Sequence, residues 1–263
     1  MSSEEGRRVA LVTGAGSGIG AATAERLAAS GCDVVVNYAH NRDGAHAVVA
    51  KCLALGASAI AVQGDVASDA DCRMLVAKMM EQFGRLDVLV NNAGVTRRVA
   101  ATDLDALTSA DFAQVFSVNV VGAYQMARAA APHLAKAVAG AIVNVSSDSG
   151  VTGDGSSLAY AASKGALNTL TLSLARTLAP GVRVNAVCPG FADTSWALAW
   201  QDEASHTRFR EMVKQLSPLQ IIPSPEDIAD AICWLALGAR AVTGQLIVID
   251  GGSHLTAGSP LAS

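Results

Sequence analysis

Seven short apolar runs govern what this chain can become. "RVALVTG" comes first, and "DVVVNY", "AIAVQGDV", "LDVLVNNAG", "GAIVNVSS", "VRVNAVCPG" and "GQLIVIDGG" follow in order. None of them alternates apolar with polar residues, so none suits a sheet with one wet face. Uninterrupted runs of this kind suit a parallel sheet covered on both sides. The segments between them carry helical spacing. "GIGAATAERLAASG" is closed by Gly31, and further helices are expected over 43–55, 68–83, 109–139, 158–178 and 225–237. Strand–helix alternation predicts right-handed crossovers and a doubly wound parallel sheet with helices on both faces.

The 263 residues contain no Pro- or Gly-rich linker, so a single domain over 1–263 is expected, with a short flexible N-terminus at about 1–6. Residues 191–223 fit the rhythm least. They hold Trp196, Trp200 and the charged stretch "QDEASHTRFREMVKQ". A helical lid over a substrate site and a surface insertion are both open readings of that segment.

The glycines cluster where the first run meets the first helix, in "LVTGAGSGIGAA". A turn of this kind needs glycine where φ is positive and where an anion must come close to the backbone. The helix start beyond it offers unpaired N–H groups and partial positive charge to a pyrophosphate. Gly14, Gly18 and Gly20 stand where that job requires, with Ser17 and Ile19 between them. The context predicts a dinucleotide site.

Charge and residue usage exclude other classes. The net charge is −4 and no basic tract appears, so there is no footprint for nucleic acid. No apolar run is long enough to span a bilayer. The start, "MSSEEGRR", does not read as a signal peptide, and a cytoplasmic location is expected. Cys32, Cys52, Cys72, Cys188 and Cys233 form no Cys-x-x-Cys and read as free, buried thiols. His40, His46, His133, His206 and His254 form no ligand-spaced cluster with cysteine, so no catalytic metal is expected.

"TGAGSGIG", "NNAG" at 91–94, Asn119, "NVSS" at 144–147, "YAASK" at 160–164 and "CPGFADT" at 188–194 occur in that order. Together they make the chain resemble the classical short-chain dehydrogenases/reductases, and within them the 3-oxoacyl-carrier-protein reductase type. The likeness runs from about residue 8 to residue 252. It implies a Rossmann-type sheet of about seven strands, a homotetramer packed through the helices at 110–139 and 158–178, and a catalytic set of Asn119, Ser147, Tyr160 and Lys164. Of the adjacent Ser146 and Ser147, the second stands where the family's serine does, thirteen residues before the tyrosine.

The chemistry needs these residue types. Reducing a carbonyl takes a hydride on carbon, which a nicotinamide supplies, and a proton on oxygen. A free tyrosine, with a pKa of about 10, is too weak a base at neutral pH for the reverse step. An ammonium one helical turn away favours the phenolate. Lys164 holds that place, and the resemblance adds a hydrogen bond to the nicotinamide ribose. Ser147 can donate to the substrate oxygen as negative charge builds there. Asn119 is a poor helix former inside a helix. The resemblance gives it a water in a proton relay to Lys164.

The resemblance also distributes cofactor contacts. Asp65 and Val66 take the adenine; Asn92, Ala93 and Gly94 take the adenine-side ribose and the cofactor backbone; Pro189, Gly190 and Thr194 take the nicotinamide end. Tyr38 stands where an NAD-specific relative has aspartate, and Arg42 and His40 lie just beyond. That pattern favours NADP(H), with Arg42 on the 2′-phosphate, and NAD(H) stays possible because position 17 is serine rather than basic. A 3-oxoacyl thioester on a carrier protein is the first expected substrate, and Arg97, Arg98, Arg128 and Lys136 are candidates for a carrier-binding patch. A secondary alcohol, sugar or polyol dehydrogenase would share every motif. A nucleotide-sensing protein without catalysis is the reading from another class.

Overall fold

The chain is described by a computed structural model over residues 6–100, 102–192 and 203–255. Seven parallel strands form one sheet in the order β3-β2-β1-β4-β5-β6-β7. They are β1 (Arg8–Val12), β2 (Cys32–Tyr38), β3 (Ala59–Gln63), β4 (Val88–Asn91), β5 (Gly140–Val145), β6 (Val182–Pro189) and β7 (Leu246–Ile249). Every expected strand is present.

Both faces are covered, as the unbroken apolar runs require. Ala10 and Val12 of β1 pack under α1 (Gly18–Ala29), α2 (Arg42–Ala54) and a helix at Pro225–Cys233. Val9 and Leu11 point the other way, toward α3 (Asp69–Phe83) and a helix at Ala123–Leu134. Successive residues of one strand thus enter two separate cores. Small core residues such as Ala24, Ala28, Ala45, Ala127 and Ala130 let the helices sit close to the sheet.

Strand order reverses beside β1, which pairs β2 on one side and β4 on the other. In open α/β sheets the crevice at the strands' C-terminal ends binds ligands at such a point. Gly14, at the end of β1, and Ala93, at the end of β4, meet there; a Cβ on Gly14 would lie 2.9 Å from Ala93 Cα.

Two expected helices break. The long helix at 109–139 is α4 (Ser109–Phe116), a π-helical turn at Ser117–Gly122, and α5 (Ala123–Leu134). The wider turn spans Asn119, and such turns often mark functional positions. The helix at 225–237 likewise ends at Cys233 and passes into a π turn at Trp234–Gly238. Local apolar spacing does not reveal a change from i→i+4 to i→i+5 bonding. A short α6 (Ser149–Thr152) precedes α7 (Leu158–Leu178); α8 (Glu203–Leu216) and α9 (Pro225–Cys233) complete the set.

Candidate active site

The glycine turn is fastened from both sides. Asn37, buried in β2, accepts from Gly14 N at 3.2 Å and donates to Gly64 O at 2.9 Å. Thr13 Oγ1 accepts from Asn92 N and Ala93 N, both at 3.0 Å. Asn92 Nδ2 donates back to Thr13 O at 2.9 Å and Gly14 O at 3.0 Å. Asn41 adds a clasp from the start of α2, donating to Gly16 O at 3.0 Å. Gly14 and Gly18 have φ of 60° and 55°, in the left-handed region. Beyond them the first N–H groups of α1 stay open, because Ser17 makes no side-chain cap. A concave backbone cradle with free N–H groups fits a pyrophosphate.

Ser157 caps α7 by accepting from Tyr160 N at 3.2 Å. That cap sets Tyr160 in the first turn and Lys164 one turn on. Lys164 Nζ lies 5.5 Å from the Tyr160 ring centre and donates to Val145 O at 2.8 Å. Gly94 leaves the space beside it clear, since a Cβ there would lie 3.7 Å from Lys164 Nζ. Ser147 follows β5, and its hydroxyl reaches Asp148 Oδ1 at 3.0 Å and Ser149 Oγ at 3.1 Å. Ser146 bonds Lys164 O at 3.2 Å and so holds α7 to β5.

Burial dominates the electrostatics. It pushes the Tyr160 phenol well above its ordinary value, against a hydrogen bond with Ser147. The phenol is therefore a neutral proton donor at physiological pH in this state. Burial also lowers Lys164 to about 8, so its ammonium is easily discharged. The expected lowering of the tyrosine by the lysine is overridden here by desolvation. All five cysteines are free and buried, and burial raises each thiol, Cys188 to about 11.

One cavity of about 1300 Å³ joins these parts. It exceeds the ~300–1000 Å³ usual for a single small ligand, leaving room for a dinucleotide and a second molecule. Gly14, Ser17, Gly18 and Ile19 open one end; Asp65, Val66, Asn92, Ala93 and Gly94 follow; Ser147, Tyr160, Lys164, Pro189 and Gly190 line the other end. Phe209, Val213 and Leu216 of α8 close that end. Phe209 meets Phe191 edge-on at 5.0 Å, and both rings line the cavity.

Four expected site residues stand elsewhere. Tyr38 is buried in the core between α1 and α2, with its ring 6.4 Å from His46. Residues alternate along β2, so Asn37 and Ala39 face the cavity instead, with His40 beyond them. Arg42 begins α2 and does not line the cavity. Gly20 packs behind the turn, where a Cβ would lie 2.4 Å from Asn92 Nδ2. Asn119 also stands behind the wall. Its amide accepts from Val95 N at 2.8 Å and donates to Val95 O and Ser163 Oγ, both at 3.0 Å. Its side chain is spent in fixing the loop after β4, and a relayed water would need its backbone carbonyl. Thr194, Trp196 and Trp200 lie outside the described residues.

The expected carrier-binding patch is thinned by pairing. Arg97 bonds Asp111 in the capping box of α4, and Arg128 bonds Asp69 while lying over the Tyr124 ring. Arg98 lines the cavity. Residues with no earlier motif also face it, notably Val95, Asp148 and His254. His40 is expected from its place just beyond β2, whereas Asp148 and His254 carried a signal only in being polar groups in the loops after β5 and β7. No group of His, Cys, Asp and Glu suited to a metal ion occurs among the described residues.

The family model described as "Enoyl-(Acyl carrier protein) reductase" matches residues 14–254. A curated 3-oxoacyl-[acyl-carrier-protein] reductase from Synechocystis is 40% identical, over 93% of this chain and 96% of its own. An L-rhamnose 1-dehydrogenase (NAD(P)(+)) from Sphingomonas is 39% identical, over 95% of this chain and 97% of its own. A crystal structure from Burkholderia xenovorans, assigned to the short-chain dehydrogenases/reductases, superposes with a TM-score of 0.89 at 40% identity, covering 96% of this chain and all of that one.

Proposed function

The chain belongs to the short-chain dehydrogenase/reductase family of oxidoreductases, and from that premise we propose that it reduces a ketone to a secondary alcohol with NADP(H). The observation that carries this reading is the shared cavity wall of Ser147, Tyr160 and Lys164 at the far end from the glycine cradle. NADP(H), when bound, supplies the hydride. The N–H groups at Ser17–Ile19 would hold its pyrophosphate, and Pro189 and Gly190 would line the nicotinamide end. Tyr160, kept neutral by burial, donates its phenolic proton to the carbonyl oxygen. Ser147 donates a hydrogen bond to the same oxygen as charge builds on it. Lys164 offsets the phenolate that remains and returns a proton to it.

The preference for NADP(H) rests on the end of β2. No carboxylate from that strand faces the cavity, and His40 does. His40 therefore takes the 2′-phosphate role first expected of Arg42. His40→Ala should lower kcat/KM for NADPH about fivefold or more and leave NADH nearly unchanged, since one exposed charge-assisted contact is lost. Arg42→Ala should change either value less than twofold, within about 0.4 kcal/mol. A dominant effect of Arg42 would return the 2′-site to it.

A 3-oxoacyl thioester is the proposed substrate, the class named for the Synechocystis relative. A second reading has a specific observation behind it. Asp148 and Asp154 give the substrate end two hydrogen-bond acceptors that suit hydroxyl groups, as on a sugar or polyol. Steady-state kcat/KM for 3-oxoacyl thioesters against ketoses and polyols, with both cofactors, tests the choice. A thioester preference of tenfold or more, about 1.4 kcal/mol, supports the first reading; the reverse ranking overturns it.

A homotetramer is part of the same proposal. Phe112, Val121 and Tyr124 on the α4–α5 helix, and Leu158 and Leu172 on α7, leave apolar side chains outside. Those helices are the ones expected to pair between copies. Sedimentation at micromolar concentration should give a species four times the chain mass; a monomer would refute it.

A further inference from the structure

Asp148 follows Ser147 directly and has no part in the mechanism above. Its carboxylate lies on the cavity wall, where Oδ1 accepts from Ser147 Oγ at 3.0 Å. It stands just before α6 but makes no side-chain cap to that helix. No cation forms an ion pair with it among the described residues. Asp250, at the end of β7, and Asp154, before α7, face it as like charges. His254 sits on the same wall, bound through Nδ1 to Asp250 Oδ2 at 2.7 Å. From α7, Tyr160 and Lys164 complete the surroundings. Burial, and then the two carboxylates, push the Asp148 acid above the ordinary carboxylate range, although bonds from Ser147 and Ser149 pull the other way.

Ser147 has one hydroxyl hydrogen and several acceptors for it. Asp148 Oδ1 stands at 3.0 Å, Ser149 Oγ at 3.1 Å and Pro189 O at 3.4 Å. Ser149 N already donates to the oxygen, at 3.2 Å. An ionised carboxylate is the strongest of these acceptors. A neutral ketone oxygen competes poorly with it. A protonated Asp148 reverses the bond: it donates to Ser147 Oγ and frees the serine's hydrogen for the cavity.

We propose that Asp148 is a positioning residue that aims the Ser147 hydroxyl, away from the substrate when ionised and toward the substrate oxygen when protonated. The proposal rests on the ketone-reductase reading of the cavity. It makes reduction favoured on the acid side. The rate falls as pH rises through the Asp148 ionisation, and falls again near 8 as Lys164 loses its proton.

The test is the pH profile of kcat for ketone reduction at saturating NADPH, in the full-length protein and in Asp148→Asn. The asparagine keeps the shape, carries no charge at any pH, and can donate to Ser147 Oγ through its amide NH2. The wild type should lose about fivefold as pH rises through the Asp148 ionisation, which lies above the ordinary carboxylate range, a part of one charge-assisted hydrogen bond. Asp148→Asn should lose that limb, gain about fivefold above that ionisation, and keep the decline near 8. If the asparagine variant does not fold, Asp148→Ala also removes the acceptor and should abolish the same limb. A variant that keeps both limbs, or loses rate by one factor at every pH, overturns the proposal. Absence of turnover by the wild type at every pH instead overturns the reductase reading, and the proposal with it.

Discussion

Tyr160→Phe should cut kcat for ketone reduction by about 10³-fold while leaving cofactor affinity within about twofold. The phenol oxygen lines the cavity and the ring is otherwise buried, so losing one oxygen removes the proton donor and little packing. Ser157 still caps α7 through a backbone N–H, which the substitution does not touch. The helix and Lys164 therefore stay in place. The split between lost turnover and retained binding separates an enzyme from a nucleotide sensor. In a sensor the same change would leave the nucleotide-linked response intact. Kinetics paired with a fluorescence titration of NADPH measure both halves.

Gly20→Ala should have the largest effect on the cofactor cradle without touching the chemistry. Its Cβ would lie 2.4 Å from Asn92 Nδ2, 2.7 Å from Gly14 O and 2.9 Å from Ala15 Cα. Asn92 Nδ2 ends a side chain and can swing aside only by giving up its bonds, while Gly14 O and Ala15 Cα are backbone, so the turn itself must move. The Asn92 bonds to Thr13 and Gly14 are the first to go. Overpacking of this kind costs about 3 kcal/mol, which for a chain this long lowers Tm by about 6–10 °C. NADPH affinity should fall about tenfold or more, since the clamp on the cradle is broken. Gly165→Ala makes the opposite case. In the middle of α7 its Cβ would meet only Gly150 O, at an ordinary 3.7 Å. That change should raise stability by about 0.5–1 kcal/mol, the helix cost of glycine. Thermal melts of the two variants with and without NADPH check both signs.

The sheet was legible because its evidence is local and repeated. A strand buried on both faces must be mainly apolar, and the seven are, with isolated polar residues such as Asn37, Asn144 and Asn185 hydrogen-bonded inside. Helix interiors were harder at Asn119 and Trp234, where the backbone widens to a π turn. The polar residue at 119 signalled a task, and the structure shows what it is: three hydrogen bonds to the loop after β4 and to α7. No spacing rule announces that partner.

The same limit governed the site. Gly14, Ser147, Tyr160 and Lys164 stand at strand ends or one turn apart, so their meeting follows from topology. Tyr38 was misplaced because one residue decides which face a strand end presents, and the last turns of a strand twist. Asn91 and Asn144 read only as motif letters. In the fold they form a buried chain, Asn91 Nδ2 to Asn144 Oδ1 at 2.9 Å and Asn144 Nδ2 to Thr171 Oγ1 at 2.8 Å. It ties β4 and β5 to α7 beneath the reacting groups. Such long-range pairs carry no sequence period, because the two ends lie far apart along the chain.

The central claim is that this cavity transfers hydride between a nicotinamide and a carbinol carbon. Reduced cofactor deuterated at the transferable position tests it most directly, with a 3-oxoacyl thioester and a ketose offered in parallel. The account predicts product alcohol that carries the deuterium on its carbinol carbon, formed about 10³-fold more slowly by Tyr160→Phe at the same cofactor occupancy. Cofactor bound at full occupancy by the wild type, with no label in any alcohol, would contradict it.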